Sequence, residues 1–273
     1  MNTARAAWRR LEPVHGMIYF VPEGRRRYAD LGLSGRAGYF TSRSAAFGRA
    51  PAELVIATFY NFNPEFVRRA VDGAWNATTP QQVLAARYAA AGEALRRARI
   101  HELPELDEVV ALTRRAAEAA CEHAQGRPLF AAHAALPWPE EPLLRLWHAQ
   151  TLLREFRGDG HVACLLSEGV SGLEALILHA ATGEVPVEFL KASRAWPEEE
   201  WADTRERLRK RGLLDGDALS PEGVLLRRHI EDRTDRLALP AYAALGDAGC
   251  ERLAELAAPV GRAVIEAGLL KLG

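Results

Sequence analysis

Cysteine is scarce in this chain, with three among 273 residues. Cys121, Cys164 and Cys250 lie far apart, without the paired spacing of a disulfide framework or of a thiolate zinc site. We therefore expect small buried side chains at these positions. The sequence also lacks an apolar run of about 18 residues, the length that crosses a bilayer, and its first ten residues lack the apolar region of a signal peptide. We expect a cytoplasmic protein without a membrane partner.

Other absences concern cofactors and charge. The sequence has no dinucleotide-binding glycine motif, no Walker loop and no Gly-x-Ser-x-Gly, which disfavours nucleotide cofactors and serine hydrolysis. No histidine pair has metal-site spacing, so neither a metal nor a cofactor is predicted, although ligation of a haem or a metal by one histidine stays open. The formal net charge of -1 gives no global attraction to nucleic acid, so any DNA binding must come from a local patch.

What the sequence does contain is helical periodicity. Hydrophobic residues make up 48% of the chain, and a 3.6-residue period runs through 84–100, 106–123, 143–156 and 253–270. We predict a mainly α fold. The proline-rich stretch 136–142 marks a boundary between a helical half at 1–135 and a second half at 136–273. The last periodic stretch has an apolar face that could bury in the core or pair with a second copy in a homodimer, and Pro259 predicts a kink in it.

Residues 187–239 have the pattern of a winged helix-turn-helix. A short apolar helix at 187–193 is followed by a turn and by a second helix at 197–211, with Pro197 at its first position and Gly212 at its end. Two short strands around Asp215-Gly216-Asp217 predict a hairpin, and Ser220-Pro221-Glu222 opens a third helix. The order helix, turn, helix, hairpin, helix is that of the winged-helix fold.

A faint internal repeat accompanies this pattern. A shift of 121 residues places Glu53 on Glu174, Ile56 on Ile177 and Ala74-Trp75 on Ala195-Trp196. If the repeat is real, residues 38–97 form a second, degenerate winged-helix module and the chain is a pseudo-twofold pair. Chance matching in a chain rich in alanine, arginine and leucine remains the alternative.

The charges of the second helix argue against strong DNA binding. A recognition helix enters the groove by its first turn, which here carries Glu198, Glu199 and Glu200. Acidic side chains outnumber basic ones between residues 184 and 239. A purely structural explanation of these charges is that acidic residues at the start of a helix and basic residues at its end complement the helix dipole. If DNA is bound, the phosphate contacts would come from the basic end of the helix, namely from Arg205, Arg209, Lys210 and Arg211.

Polar and aromatic side chains scattered through both halves predict a small-molecule pocket. Tyr60-Asn61-Phe62-Asn63-Pro64 is a turn that either serves only as a structural Asx turn or points polar groups into the pocket. Arg157-Gly158-Asp159-Gly160-His161 predicts a helix end with a glycine C-cap, followed by a helix that Asp159 caps. For each histidine alone, a satisfied core position is the alternative. The predicted ligand-binding set is His15, Tyr19, Tyr60, Asn61, Trp147, His148, His161 and His179.

The chain resembles the MarR-like winged-helix superfamily and a bacterial helix-turn-helix family related to it. Five motifs carry the resemblance, and they stand at 15–23, 57–64, 135–139, 146–148 and 157–161. The resemblance implies a winged-helix fold and a regulator, and it brings no substrate with it. All five motifs lie outside the winged helix, and a protein that only binds DNA would not need them.

These observations lead to one hypothesis and two rivals. The hypothesis is a MarR-like, ligand-responsive transcription regulator that binds a small apolar or aromatic molecule, and whose DNA binding is weak or lost. The first rival is an enzyme on a winged-helix scaffold, with His161 or His148 as general base and Tyr60 or Tyr19 as proton donor. The second is a pure interaction protein with a solid core.

Overall fold

The computed structural model describes residues 3–270. Residues 1–2 of the first predicted half and residues 271–273 of the second lie outside the described residues. As the sequence predicts, the fold is mainly helical. The α-helices are α1 (Thr3–Gly16), α2 (Pro22–Asp30), α3 (Gly35–Ser44), α4 (Ala52–Thr58), α5 (Pro64–Val71), α6 (Ala74–Ala77), α7 (Pro80–Arg97), α8 (Leu106–Cys121), α9 (Pro128–Ala134), α10 (Pro142–Ser167), α11 (Gly172–Ala180), α12 (Val187–Arg194), α13 (Glu198–Lys210), α14 (Pro221–Ala243) and α15 (Gly246–Glu266).

The described strands form one small antiparallel hairpin. In it β1 (Leu214–Asp215) pairs with β2 (Ala218–Leu219), so that Leu214 lies opposite Leu219. The hairpin follows α12 and α13 and precedes α14, which is the order that the sequence predicts. Residues 38–97 hold only helical elements among those described, so this stretch lacks a hairpin of its own, and the internal repeat stays a prediction.

The chain forms two compact units that do not follow the order of the sequence. Unit 1 comprises residues 1–50, 73–159 and 237–273, and unit 2 comprises residues 51–72 and 160–236. The proline-rich stretch 136–142 therefore lies within unit 1, and each unit contains residues from both predicted halves. Two of the four unit boundaries fall inside helices, in α10 after Asp159 and in α14 after Arg236.

Unit 1 is built around α10 and around a close pair formed by α1 and α15. The apolar face of α15 is buried against this core through Leu253, Leu256 and Val260, and the homodimer stays a prediction. Pro259 lies inside α15, and the helix continues past it. In unit 2 a smaller core forms around Trp201 on α13, and its other buried members include Leu173, Ile177, Leu208, Leu214 and Ile230.

The predicted helix end at residues 157–161 is wrong, because α10 continues through both glycines to Ser167. Asp159 caps a different helix: its carboxylate accepts a hydrogen bond of 2.9 Å from the backbone N–H of Phe130, in the first turn of α9. A glycine inside a helix costs about 1 kcal/mol relative to alanine, and local sequence therefore predicts a break. Burial of Trp147, Phe156 and Cys164 along the same helix outweighs that cost.

Replacing Gly261 with alanine is expected to destabilise the protein by about 1–3 kcal/mol, because a Cβ atom there would clash with the backbone carbonyl oxygen of Arg10 where α15 crosses α1. Gly158→Ala on α10 is the matched control. Its nearest neighbour outside the local helix backbone is the end of the Glu155 side chain at 3.5 Å, so helix propensity should make it neutral or stabilising. Urea unfolding measures both variants, and equal stability of the two would contradict the close approach.

Candidate functional site

Four of the eight predicted ligand-binding residues lie together in unit 1. His15 comes from α1, Tyr19 from a short 3-10 helix (Met17–Tyr19), and Trp147 and His148 from α10. His15 Nε2 lies 2.7 Å from the Tyr19 hydroxyl, and the imidazole stacks on the indole of Trp147 with 5.8 Å between ring centroids. His15 Nδ1 lies 2.9 Å from Thr151 Oγ1. The structure thus joins the first and fourth motifs of the sequence.

A second histidine–tyrosine pair lies beside the first. The hydroxyl of Tyr88, on α7, lies 2.6 Å from His148 Nδ1. The ring of Tyr88 also packs edge-on against Trp147, with 5.1 Å between centroids, and Trp138 packs edge-on against His148 at 4.7 Å. Trp147 therefore contacts members of both pairs.

Two arginines complete this arrangement. Arg43, on α3, donates a hydrogen bond of 2.8 Å to the Tyr39 hydroxyl, and its guanidinium carbon lies 5.2 Å from the centroid of the Tyr19 ring. Arg87, on α7, lies 5.8 Å from the Tyr19 ring and 5.3 Å from the Trp147 ring. We call the whole set the buried polar cluster, and its members are His15, Tyr19, Arg43, Arg87, Tyr88, Trp147 and His148.

One carboxylate reaches the cluster. Glu155 Oε1, on α10, lies 3.8 Å from Arg43 Nη2 and 4.0 Å from His15 Nε2. The neighbouring Arg154 pairs with Glu12, and its guanidinium lies 5.5 Å from the Tyr19 ring. The cluster therefore has more positive than negative formal charge.

Burial keeps the imidazoles and phenols of this region neutral. Desolvation lowers the pKa of His148 to about 4, and it lowers the pKa of His15 well below its usual range, with the charges of Arg87 and Arg43 adding to the effect. The pKa of Tyr19 is raised, mainly by the same burial. At neutral pH these groups can thus donate or accept hydrogen bonds without carrying charge.

Several polar atoms in and around the cluster have no hydrogen-bond partner among residues 3–270. They are Thr41 Oγ1, Arg87 Nε and Nη2, His133 Nδ1, Trp147 Nε1, His148 Nε2 and Gln150 Nε2, and all belong to buried side chains of unit 1. Folded proteins leave few buried polar groups unpaired, because each costs about 1–3 kcal/mol. In folded proteins, ordered water or a bound molecule supplies the hydrogen bonds that such groups lack.

Arg43, Arg87 and Tyr88 lie outside the set of site residues predicted from the sequence. A signal for Arg87 was present: it stands one turn from Val83 and from Ala90 and Ala91, on a face of α7 whose other members are small and apolar. A charged residue on the buried face of a helix is rare and calls for a partner. Arg43 and Tyr88 have no comparable local signal, because only the packing of α3 and α7 against α10 gives them their neighbours.

The other four predicted residues belong to unit 2, where Tyr60 and Asn61 each take part in a hydrogen bond to a backbone carbonyl. The Tyr60 hydroxyl donates a hydrogen bond of 2.7 Å to the carbonyl oxygen of Val170, and the carbonyl of Asn61 accepts one of 2.9 Å from Trp196 Nε1. Gly172 permits this loop to approach α11, since a Cβ atom there would clash with the Tyr60 carbonyl. Asn63 caps α5 by accepting the N–H of Phe66 at 3.0 Å, so the structural Asx turn is confirmed.

His161 and His179 have separate surroundings in unit 2. His161 lies within α10 and not in a first helical turn, and its Nδ1 lies 3.0 Å from Thr234 Oγ1 and 3.9 Å from Glu231. His179 is half-buried on α11, and its pKa is lowered by burial and by the charge of Arg227.

The four predicted DNA-contacting cations all have acidic neighbours within unit 2. Arg205 and Arg209 both pair with Asp217, which lies in the loop between β1 and β2. Arg209 Nε also donates a hydrogen bond of 3.1 Å to the Gly216 carbonyl. Lys210 lies 3.8 Å from Glu206, and Arg211 lies 2.7 Å from Glu174. DNA phosphates would have to compete with these carboxylates.

No group of three or more His, Cys, Asp or Glu side chains within residues 3–270 has an arrangement that could hold a metal ion. No single helix in that range is long and apolar enough to cross a membrane, although α10 and α11 pass that test as a sharply bent pair.

Comparison with protein-family models matches a helix-turn-helix family over residues 4–271. The chain belongs to this family. Membership over nearly the whole length covers the buried polar cluster as well as α12 and α13, and it suggests a function like that of a DNA-binding regulator. Neither the curated proteins nor the solved structures contain a match to the chain.

Replacing His133 with glutamine is expected to weaken the acid sensitivity of folding. Burial, with the charge of Arg87, lowers the pKa of His133 to about 3, whereas the unfolded chain takes up this proton near pH 6.5. The contribution of His133 is therefore complete above about pH 6.5 and is lost as the pH falls towards 3, by at most about 1.4 kcal/mol per pH unit.

Urea unfolding between about pH 7 and about pH 5 measures this slope. The exposed His123 provides the matched control, and His123→Gln should leave the slope of the wild-type protein unchanged. A slope that His133→Gln and His123→Gln alter equally would refute the buried, neutral state of His133.

Proposed function

We propose that this helix-turn-helix protein is a MarR-like, ligand-responsive transcription regulator, with a small-molecule site at the buried polar cluster and with weak or lost DNA binding. The main support for the small-molecule site is the group of buried polar atoms around Trp147 and Arg87 that have no hydrogen-bond partner among the described residues. A protein whose only task is to present α13 to DNA has no use for them, and their cost in stability needs a compensating interaction.

The winged-helix part of the proposal is supported by the order of elements in unit 2. The pair α12 and α13 is joined by a short turn, and the two-stranded hairpin follows α13 directly, which is where a wing stands in this fold. We infer that α13 is the recognition helix and that α10 carries the signal, because this helix supplies Trp147 and His148 to the cluster and its residues 160–167 to unit 2.

Weak DNA binding follows from the charges on α13. Its first turn is acidic, and Asp217 neutralises Arg205 and Arg209 at its other end. A backbone-binding protein gains affinity by releasing counterions from phosphates, and a guanidinium already paired with a carboxylate contributes little to that release.

Replacing Asp217 with asparagine is therefore expected to strengthen non-specific DNA binding. Arg205 and Arg209 would both lose Asp217, while Arg209 would keep Glu206 at 3.6 Å. The slope of log affinity against log salt should therefore steepen by roughly 1 to 2. Gel-shift titrations at low and moderate salt measure this slope. Asp215→Asn changes the formal charge equally and serves as the control, since Asp215 makes no ion pair within residues 3–270. Equal effects of both variants would argue against Asp217 as the neutralising group.

An enzyme with acid–base groups remains the second candidate, because His15–Tyr19 and His148–Tyr88 are both within proton-transfer distance. Native mass spectrometry of freshly purified protein separates the possibilities. A regulator is expected to retain a small molecule unchanged, and an enzyme is expected to release it with an altered mass. The proposal fails if Trp147→Phe retains the same molecule as fully as the wild-type protein, or if no molecule is retained.

A further inference from the structure

Arg87 is the most isolated charge of the buried polar cluster. Its side chain is 1% exposed, and it lies over the rings of Tyr19 and Trp147. Its one hydrogen bond within residues 3–270 is long, 3.4 Å from Nη1 to Ser42 Oγ, and its Nε and Nη2 atoms have none. A guanidinium removed from water is costly unless its charge and its N–H groups are both matched.

No carboxylate of the described chain pairs with Arg87. Glu155, the acid that reaches the cluster, lies 3.8 Å from Arg43 and 4.0 Å from His15, and Glu12 pairs with Arg154. The positive charge of Arg87 acts on its neighbours, since it contributes to lowering the pKa of His15. One positive charge in this interior is therefore without a counter-charge.

The unpartnered nitrogens of Arg87 have a recognisable geometry. Nε and Nη2 form one edge of the planar guanidinium, and this edge can donate two parallel hydrogen bonds to the two oxygens of a carboxylate. Trp147 Nε1 is a further unpartnered donor, in contact with Arg87 through the indole ring. Gln150 Nε2 is a third, one turn along the same face of α10.

We propose that the ligand of this site is a small monoanionic molecule whose carboxylate is bound by the Nε and Nη2 edge of Arg87 and by the indole N–H of Trp147. This inference rests on the proposed ligand site and specifies the chemical class of its ligand. One uncompensated charge matches a carboxylate, whereas a phosphate dianion would bring a second negative charge among neutral imidazoles and phenols. The aromatic rings that flank Arg87 favour a flat organic body on the carboxylate.

The indole N–H of Trp147 offers a direct measurement. In protein labelled with ¹⁵N at tryptophan, Trp147→Phe identifies its resonance. Acetate and benzoate are then titrated at constant ionic strength, with benzamide as the neutral analogue of benzoate and inorganic phosphate as the second anion. We expect a saturable shift of this resonance with benzoate or acetate, and at least tenfold weaker effects of benzamide and phosphate.

Arg87→Met keeps the length of the side chain and removes its charge, and Arg96→Met is the matched control on an exposed position of α7. Arg87→Met should abolish the carboxylate-induced shift, and Arg96→Met should keep it. Because a buried charge is removed, the ligand-free Arg87→Met protein should unfold at the same temperature as the wild-type protein or higher. If Arg87→Met does not fold, Arg87→Lys keeps the test open, since a lysine lacks the planar edge and should weaken benzoate binding at least tenfold.

The two proposals fail in different ways. The carboxylate assignment would be overturned if native mass spectrometry showed a retained neutral molecule, or if benzamide shifted the resonance as much as benzoate. Either result would still be consistent with the proposed ligand site. An unmoved Trp147 resonance in the presence of both carboxylates would also overturn the assignment. A shift that persists fully in Arg87→Met would place the anion elsewhere. Absence of any retained molecule would remove the ligand site itself.

Discussion

A buried guanidinium with two N–H donors that no described residue satisfies is the physical constraint on which the buried polar cluster of unit 1 depends. The guanidinium carbon of Arg87 lies 5.8 Å from the centroid of the Tyr19 ring and 5.3 Å from that of Trp147, while its Nε and Nη2 donors have no partner within the described chain. A core selected for stability alone would place an aliphatic side chain there, since replacing buried charges by apolar groups is often stabilising. The ligand site that we propose would give this arginine the partner that the described residues lack.

The same constraint accounts for the protonation states around it. Burial next to positive charge holds His15 and His133 in the neutral form, and burial raises the pKa of the Tyr19 phenol. Each of these groups is consequently a neutral hydrogen-bonding group that can adapt to a ligand by rotating a hydroxyl or by changing its tautomer. The arginines of unit 2 differ from Arg87. Arg205, Arg209 and Arg211 lie at the surface, and carboxylates of the chain itself neutralise them.

Membership of a helix-turn-helix family and the character of α13 therefore point in different directions. The family suggests a regulator that contacts DNA, whereas the acidic first turn and the paired cations of α13 offer little free positive charge to a phosphate backbone. A ligand-responsive regulator with weakened DNA binding, as we propose, would fit both the family membership and the paired cations of α13.

Periodicity, capping residues and turn residues were sufficient to predict the mainly α fold, the order of α12, α13, hairpin and α14, and the Asn63 cap, because each depends on residues within a few positions of one another. They failed at Gly158 and Gly160, where burial of distant parts of α10 outweighs the local preference for a helix end. His15, Tyr19, Trp147 and His148 were predicted as site residues, but Arg43, Arg87 and Tyr88 were not. Only the tertiary structure decides which charges lose water and which donors find a partner, since both depend on helices that are far apart in sequence.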